Sequence, residues 1–254
     1  MIQPFAQDTL DRLWATYTPA DTTKGSLLQP QYLLAAEGPY KVYFAPLGVV
    51  PEATARVVLL GLTPGLAQTQ LAAKTFINAS PEVRADTIEF GRRLRREVAF
   101  GGAMRDLLCR MLDEIDIPRL LGLSRSQEIF AADGDDVATT SALVYPVFTG
   151  PTLKNFGGSA DLARVGLFRE MLTTLLAPRL AAAPRALIIP FGKAASTGVR
   201  FLVEQNAVDE AQVLWEFPHP SGANGHRVRQ FAQAKAGLRS RAVAWAMASW
   251  PKGR

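Results

Sequence analysis

The sequence predicts an α/β fold: a three-layer α/β/α sandwich built on a largely parallel, four-stranded central sheet. Three observations lead there. Four short runs, "RVVLLGL" (56–62), "ATTSALVYPV" (138–147), "ALIIPFG" (186–192) and "VLWEF" (213–217), are mostly apolar and rich in branched residues, the composition of strands covered on both faces. Helical periodicities lie between them, and alternating strands and helices imply parallel strands joined by right-handed crossovers. Finally, 254 residues at 48% hydrophobic composition suffice to bury one large core, and no repeat, low-complexity tract or linker divides the chain. The expectation is a single domain over 1–254.

Taken in order, residues 1–40 read as an N-terminal extension, followed by a further strand candidate, "KVYFA" (41–45). Residues 66–137 read as a helical insertion between the first and second core strands. Within it Met104, Leu107, Leu108, Met111, Leu112 and Ile115 recur on one helical face. The acidic stretch "AADGDDVA" (131–138) is expected to be a surface loop. Val165, Phe168, Leu172, Leu175 and Leu176 form a second stripe, which ends before Pro178. Ala195, Val199, Leu202 and Val203 give a third. Phe231, Leu238, Ala242 and Trp245 give a fourth, in the C-terminal segment.

Composition narrows the function classes. The single cysteine, Cys109, excludes an intramolecular disulfide framework and a cysteine-based zinc site, and favours a reducing compartment. No apolar run approaches the roughly 20 residues that cross a bilayer. The start "MIQPFAQDTLDRLWATY" lacks the basic-then-apolar pattern of a secretory leader. A soluble, cytoplasmic protein with no membrane partner is expected. The net charge of +5 suits an anionic partner, and "GRRLRREV" (91–98) and the C-terminal tail concentrate Arg, the side chain best shaped for bidentate phosphate contacts.

Two of the strands stop at Pro/Gly-rich turns, "GLTPG" (61–65) and "FPHPSGANGHR" (217–227). In open parallel sheets ligands bind where the strands' carboxyl ends open into loops, so neighbouring strands would set both turns on one rim. The second turn carries His219, Ser221, Asn224 and His226, including both histidines of the chain. Two histidines seven apart without further ligands make no metal motif. A nucleophile elbow, a Walker loop and a dinucleotide-binding glycine pattern are absent from their required contexts.

A strand ending in "GLTPG", a middle strand "TTSALVYP", a later "LIIPFGKAA" and a last strand ending in "WEFPHPSGANGHR" resemble, in that order, the motifs of the uracil-DNA glycosylase superfamily. The Trp two residues before Phe-Pro, with Pro-Ser-Gly after it, is similar to the mismatch-specific uracil/thymine branch. The likeness runs from about residue 40 to the C-terminal helix. It implies a monomeric DNA glycosylase that hydrolyses the N-glycosidic bond of a flipped uracil or other damaged or mismatched base, in single- or double-stranded DNA, with no metal or organic cofactor. By that resemblance His219 donates a hydrogen bond to the anion that develops on the leaving base. Pro64, Gly65, Gly192, Lys193, Pro220, Ser221 and Gly222 would meet DNA phosphates.

Thr63 stands where the branch has an Asn that positions the attacking water, and Ser141 where many members have an Asn that reads uracil. A Thr hydroxyl orients water but is no general base at neutral pH. The residue types near the rim loops add candidates for holding a base: Phe76, Phe148 and Phe156 for stacking, Asn155 for reading an edge, and Gln68 and Gln70 if the segment 66–82 forms a lid. A carboxylate from Asp133, Asp135, Asp136 or Asp161 could stand in for the missing base. The alternatives are a nucleic-acid-binding member of the fold that has lost the chemistry, and hydrolysis of a small nucleoside or another anionic small molecule in the same pocket.

Overall fold

The computed structural model describes residues 5–47, 53–131, 135–222 and 224–250. Helices α1 (Gln7–Thr16) and α2 (Lys24–Leu27) lead to strands β1 (Leu33–Glu37) and β2 (Tyr40–Tyr43), and then to β3 (Val57–Gly61). The expected helical insertion follows as α3 (Leu66–Ile77), α4 (Pro81–Ala85), α5 (Thr87–Glu97), α6 (Ala103–Glu114), α7 (Ile117–Leu121) and α8 (Glu128–Ala131). Next come β4 (Val137–Ser141), β5 (Val147–Thr149), β6 (Lys154–Asn155), α9 (Gly166–Met171) and α10 (Ala177–Ala181). After these lie β7 (Leu187–Pro190), α11 (Gly192–Glu204) and α12 (Arg227–Ser249).

Among the described residues these strands form two sheets. One is antiparallel, in the order β1-β2-β5-β6, and the other parallel, in the order β4-β3-β7. β3 is central, paired with β4 from Val57↔Val137 to Gly61↔Ser141 and with β7 from Val57↔Leu187 to Leu60↔Pro190. Successive side chains of a strand point to opposite faces. Val57 and Leu59 therefore enter one core with Leu108, Leu112, Phe231 and Trp245, from α6 and α12. Val58 and Leu60 enter the other, with Phe168, Leu172 and Val199. The described part of the expected N-terminal extension, 5–40, is built into that second core, where Tyr17, Leu27 and Tyr32 are buried.

The expected central four-stranded parallel sheet is not formed, so the three-layer sandwich built on it is corrected. The run 213–217 contributes one isolated parallel bridge, Val213↔Ile188. After Leu214 N–H has bonded to Ile188 O (2.8 Å), Trp215 N–H turns back to Val213 O (3.1 Å) and Glu216 takes φ +69°. A residue at positive φ cannot continue a ladder. The Trp215 indole is drawn under the Arg200 guanidinium of α11 (4.6 Å) instead.

The run 138–147 is not one strand either. β4 ends at Ser141, and beyond Pro146 the chain re-enters as β5 in the antiparallel sheet, so this segment joins the two sheets. The second helical stripe passes Pro178 rather than stopping before it. A π-helical turn, Leu172–Leu176, intervenes, and Pro178 falls in the first turn of α10, where no intrahelical N–H is required.

Candidate functional site

Parallel pairing sets Gly61, Ser141 and Pro190 at one end of the sheet, so the turns that follow them share a rim. The "FPHPS" turn joins this rim although its strand does not form, because Gly192 N–H bonds to Phe217 O (2.8 Å). Gly192 has φ +76°, and a Cβ there would stand 2.9 Å from the Cβ of His219 and 3.4 Å from its backbone N. Only glycine allows α11 to begin against the His219 backbone. Gly158, at φ +82°, lies between the first turn and α11: a Cβ there would meet Ala194 Cβ at 2.6 Å and Leu62 Cδ2 at 3.0 Å.

His219 is half-buried, and its Nδ1 accepts the Ser221 N–H (3.1 Å). A ring nitrogen that accepts an N–H carries no proton, so the neutral imidazole holds its proton on Nε2. Burial lowers the pKa of His219 below the ordinary value, which keeps the ring neutral at pH 7. The Asn224 side chain donates to His219 O (3.2 Å), and its Oδ1 accepts the His226 N–H (3.2 Å). The result is a pre-set donor, Nε2–H, on a turn held from both ends. Pro220 is buried behind it and Gly222 is exposed. Lys193 is exposed in the first turn of α11 and makes no ion pair among the described residues.

Thr63 is differently employed from the water-orienting role expected of it. Its hydroxyl donates to Tyr145 O (3.1 Å) and accepts from Val147 N–H (3.1 Å). It thus pins the first turn to the junction of the two sheets. Asn155 likewise braces the rim: its Oδ1 accepts the Leu66 N–H (2.9 Å), the first orphan donor of α3, and its amide packs against Gly65. Asn155→Ala should therefore cost about 1 kcal/mol as the loss of a helix cap. In a thermal melt that is a Tm lower by about 2–4 °C at this chain length.

The carboxylate candidates do not gather here. Asp135 and Asp136 precede β4, at the opposite end of the sheet from the rim. Arg92 grips Asp135 through two bonds (2.9 and 2.6 Å) and holds its carboxyl below the usual range. Asp161 accepts the Ala163 N–H and pairs with Arg164. Asp133 lies outside the described residues. Gln70 donates to Thr22 O (2.8 Å), away from any base-reading role, and the segment expected as a lid is mostly the helix α3.

The three aromatic candidates are core side chains, which corrects their expected role in stacking. Phe76 packs edge-on with Trp14, Tyr17 and Phe90. Phe148, fully buried, meets Tyr43, and Phe156 meets Tyr40 and Phe168. A cleft of about 80 Å³ instead runs along the open edge of β4, beside α5. Its rim end is lined by Pro64, Gln68, Ser141, Val144 and an aromatic that sequence reasoning missed, Phe100. Phe100 sits at φ +51°, a conformation that costs a bulky residue about 1–2 kcal/mol. The available signal was an aromatic directly before Gly101-Gly102 at a helix end, where glycine ordinarily takes that conformation.

Among known proteins, the chain is 32% identical over 229 residues to the uncharacterized protein YoxB of Bacillus subtilis (strain 168), a match spanning 86% of this chain and 85% of that one. The chain belongs to the YoxB family. The matched share is large enough that the Gly61–Gly65 turn, the β4 cleft and Gly192, all in the middle of the chain, lie within the YoxB-family similarity. No family model matches the chain. In this YoxB-family member no described helix is long and apolar enough to cross a membrane.

Proposed function

We propose that this chain is an N-glycosidic hydrolase that removes a flipped base from DNA, as its resemblance to the uracil-DNA glycosylase superfamily implies. The observation that carries the reading is His219: a neutral imidazole whose Nδ1 is occupied by Ser221 N–H, leaving Nε2–H as a fixed donor on the rim. Cleaving an N-glycosidic bond leaves negative charge on the base, and a pre-oriented donor in a partly dehydrated site stabilises such charge without reorganising. In this reading His219 Nε2–H meets the base, while Lys193 and the α11 N-terminus beside Gly192 meet a phosphate. The charge distribution supports it. From Phe217 to the C-terminus the sequence holds five Arg and two Lys with no Asp or Glu, so the segment that begins at the His219 turn is wholly cationic.

A second reading, a nucleic-acid binder without hydrolysis, is favoured by one observation: the Thr63 hydroxyl is committed to Tyr145 and Val147. One experiment separates the two. Labelled oligonucleotides carrying uracil, hypoxanthine, xanthine or mismatched thymine, single- and double-stranded, are incubated with the protein and with His219→Ala. Base release that the substitution removes is the expected result. Silence on every substrate, with binding that weakens steeply as salt rises, would instead establish the binder.

A further inference from the structure

The His219 turn is packed on one side only. Pro218 and Pro220 are buried beneath it, but a Cβ on Gly222 or on Gly225 would meet no described atom within 4 Å. Glycine is the most permissive backbone residue, so a loop with two such glycines in open space keeps one shape only where hydrogen bonds impose it. Asn224, between those glycines, supplies them. Its N–H donates to Ser221 O (3.0 Å), and its O accepts the Arg227 N–H (3.2 Å) and Nη1 (3.0 Å). Its Oδ1 accepts the His226 N–H (3.2 Å), while Nδ2 donates to His219 O (3.2 Å) and to Gln230 Oε1 (3.0 Å). No polar group of Asn224 is left over. The amide has one orientation, because a carbonyl at 219 only accepts and an N–H at 226 only donates.

Gln230 carries the link into α12. That 23-residue helix buries Phe231, Leu238, Ala242 and Trp245 in the core that holds Val57 and Leu59 of β3. Phe231, the next residue after Gln230, meets the Phe217 ring edge-on at 6.1 Å. Two consecutive residues of one helix therefore grip the chain on both sides of the imidazole. Phe231 holds Phe217, two positions ahead of His219, and Gln230 holds the His219 carbonyl by way of Asn224. His219 is thus referenced to a helix seated on the rim's own sheet, although no strand leads into its turn.

We infer that Asn224 and Gln230 are positioning residues, which carry the place of α12 to the His219 carbonyl and so fix the direction of Nε2–H. For its effect on reaction rate this rests on the base-removal reading; as a tie on the imidazole it does not. Gln230 is exposed, so Gln230→Met, of similar length and helix propensity but without an oxygen, is expected to fold as the wild type does. The ring nitrogens of ¹⁵N-histidine-labelled protein are read at about pH 8, above the ordinary histidine pKa, with His226→Ala assigning the second histidine. Wild-type His219 is expected to show a single tautomer, protonated on Nε2. Gln230→Met and Asn224→Ala move both nitrogens toward the averaged positions of a ring whose tautomers exchange. Gln230→Glu, which still offers an oxygen to Asn224 Nδ2, keeps the wild-type pattern. In the release assay Gln230→Met lowers kcat about tenfold and leaves KM within about twofold, the mark of lost orientation rather than lost binding.

If the nitrogens of His219 are the same in Gln230→Met and Asn224→Ala as in wild type, the tie is overturned, and a wild type that still releases base through His219 leaves the glycosylase reading standing. If they move as expected but no oligonucleotide loses a base, the tie stands and the glycosylase reading falls. Nitrogens that move while kcat in Gln230→Met keeps its wild-type value would overturn the positioning role in the reaction.

Discussion

In the proposed reaction, base release is expected to stay level across the neutral range and to decline only below about pH 6.5, the ordinary histidine value, because burial places the folded pKa of His219 beneath it. Protonation must occur on Nδ1, the atom that accepts Ser221 N–H, so the charged ring sets two donors against each other and the turn loses its geometry. Stability follows the same direction. The folded pKa lies below the unfolded one, so the neutral ring's contribution is complete above about 6.5 and is lost as pH falls through the lowered folded value, where the unfolded chain binds the extra proton. His219→Ala should reduce release by about 10²–10³-fold, the usual effect of removing one pre-organised donor. His219→Gln, whose amide donates without titrating, should recover part of that loss and show no acid limb. A Gln variant with the wild-type acid limb would assign the titration to another group and remove His219 from the chemistry.

What the sequence made legible follows from burial on two faces. β3 and β7 announce themselves because residues such as Val57, Leu59 and Ile189 must be apolar whichever way they point, whereas β4, an edge strand with half-buried Ala138, Thr139 and Thr140, is marked chiefly by its branched residues. The run 213–217 looks identical by that test. What takes it out of the ladder is a tertiary event, Trp215 pairing with Arg200 of α11, 15 positions earlier in the chain, together with Glu216 at positive φ. Aromatics fail for a related reason. Phe76, in α3, Phe148, in β5, and Phe156, just after β6, follow rim turns in the sequence, but a phenyl ring gains most by full burial, and each found it. For Phe100 the one local signal was its place directly before Gly101-Gly102; the rest of its position depends on one backbone dihedral and on the absence of a side chain at Gly61, 39 positions earlier.

The site divides the same way. The turns "GLTPG" and "FPHPS" were placed on one rim by strand topology alone, and they meet there through the Gly192–Phe217 bond rather than through the fourth strand that was expected to carry them. Hydrogen-bond partners were not legible. Nothing local marks Asn155 as the cap of α3, or His219 as the acceptor of its neighbour's N–H. Both are consequences of backbone geometry that side-chain type does not disclose.

Thr63→Val is expected to lower stability by about 3 kcal/mol, whereas Thr63→Ser should stay within about 1 kcal/mol of wild type. Valine matches threonine in shape but leaves Tyr145 O and Val147 N–H, both on buried residues, without partners, and each such group costs about 1–3 kcal/mol. At this chain length the difference is about 10 °C in Tm by calorimetry. The pair also decides what the hydroxyl is for. If it positions the rim by tying the first turn to the junction of the two sheets, serine restores stability and base release together, and the valine variant's kcat recovers when the fold is stabilised elsewhere. If the hydroxyl acts on the attacking water, the valine variant remains inactive at temperatures where it is fully folded. Because the donor and one acceptor position of Thr63 are already occupied by the junction, the first pattern is the expected one.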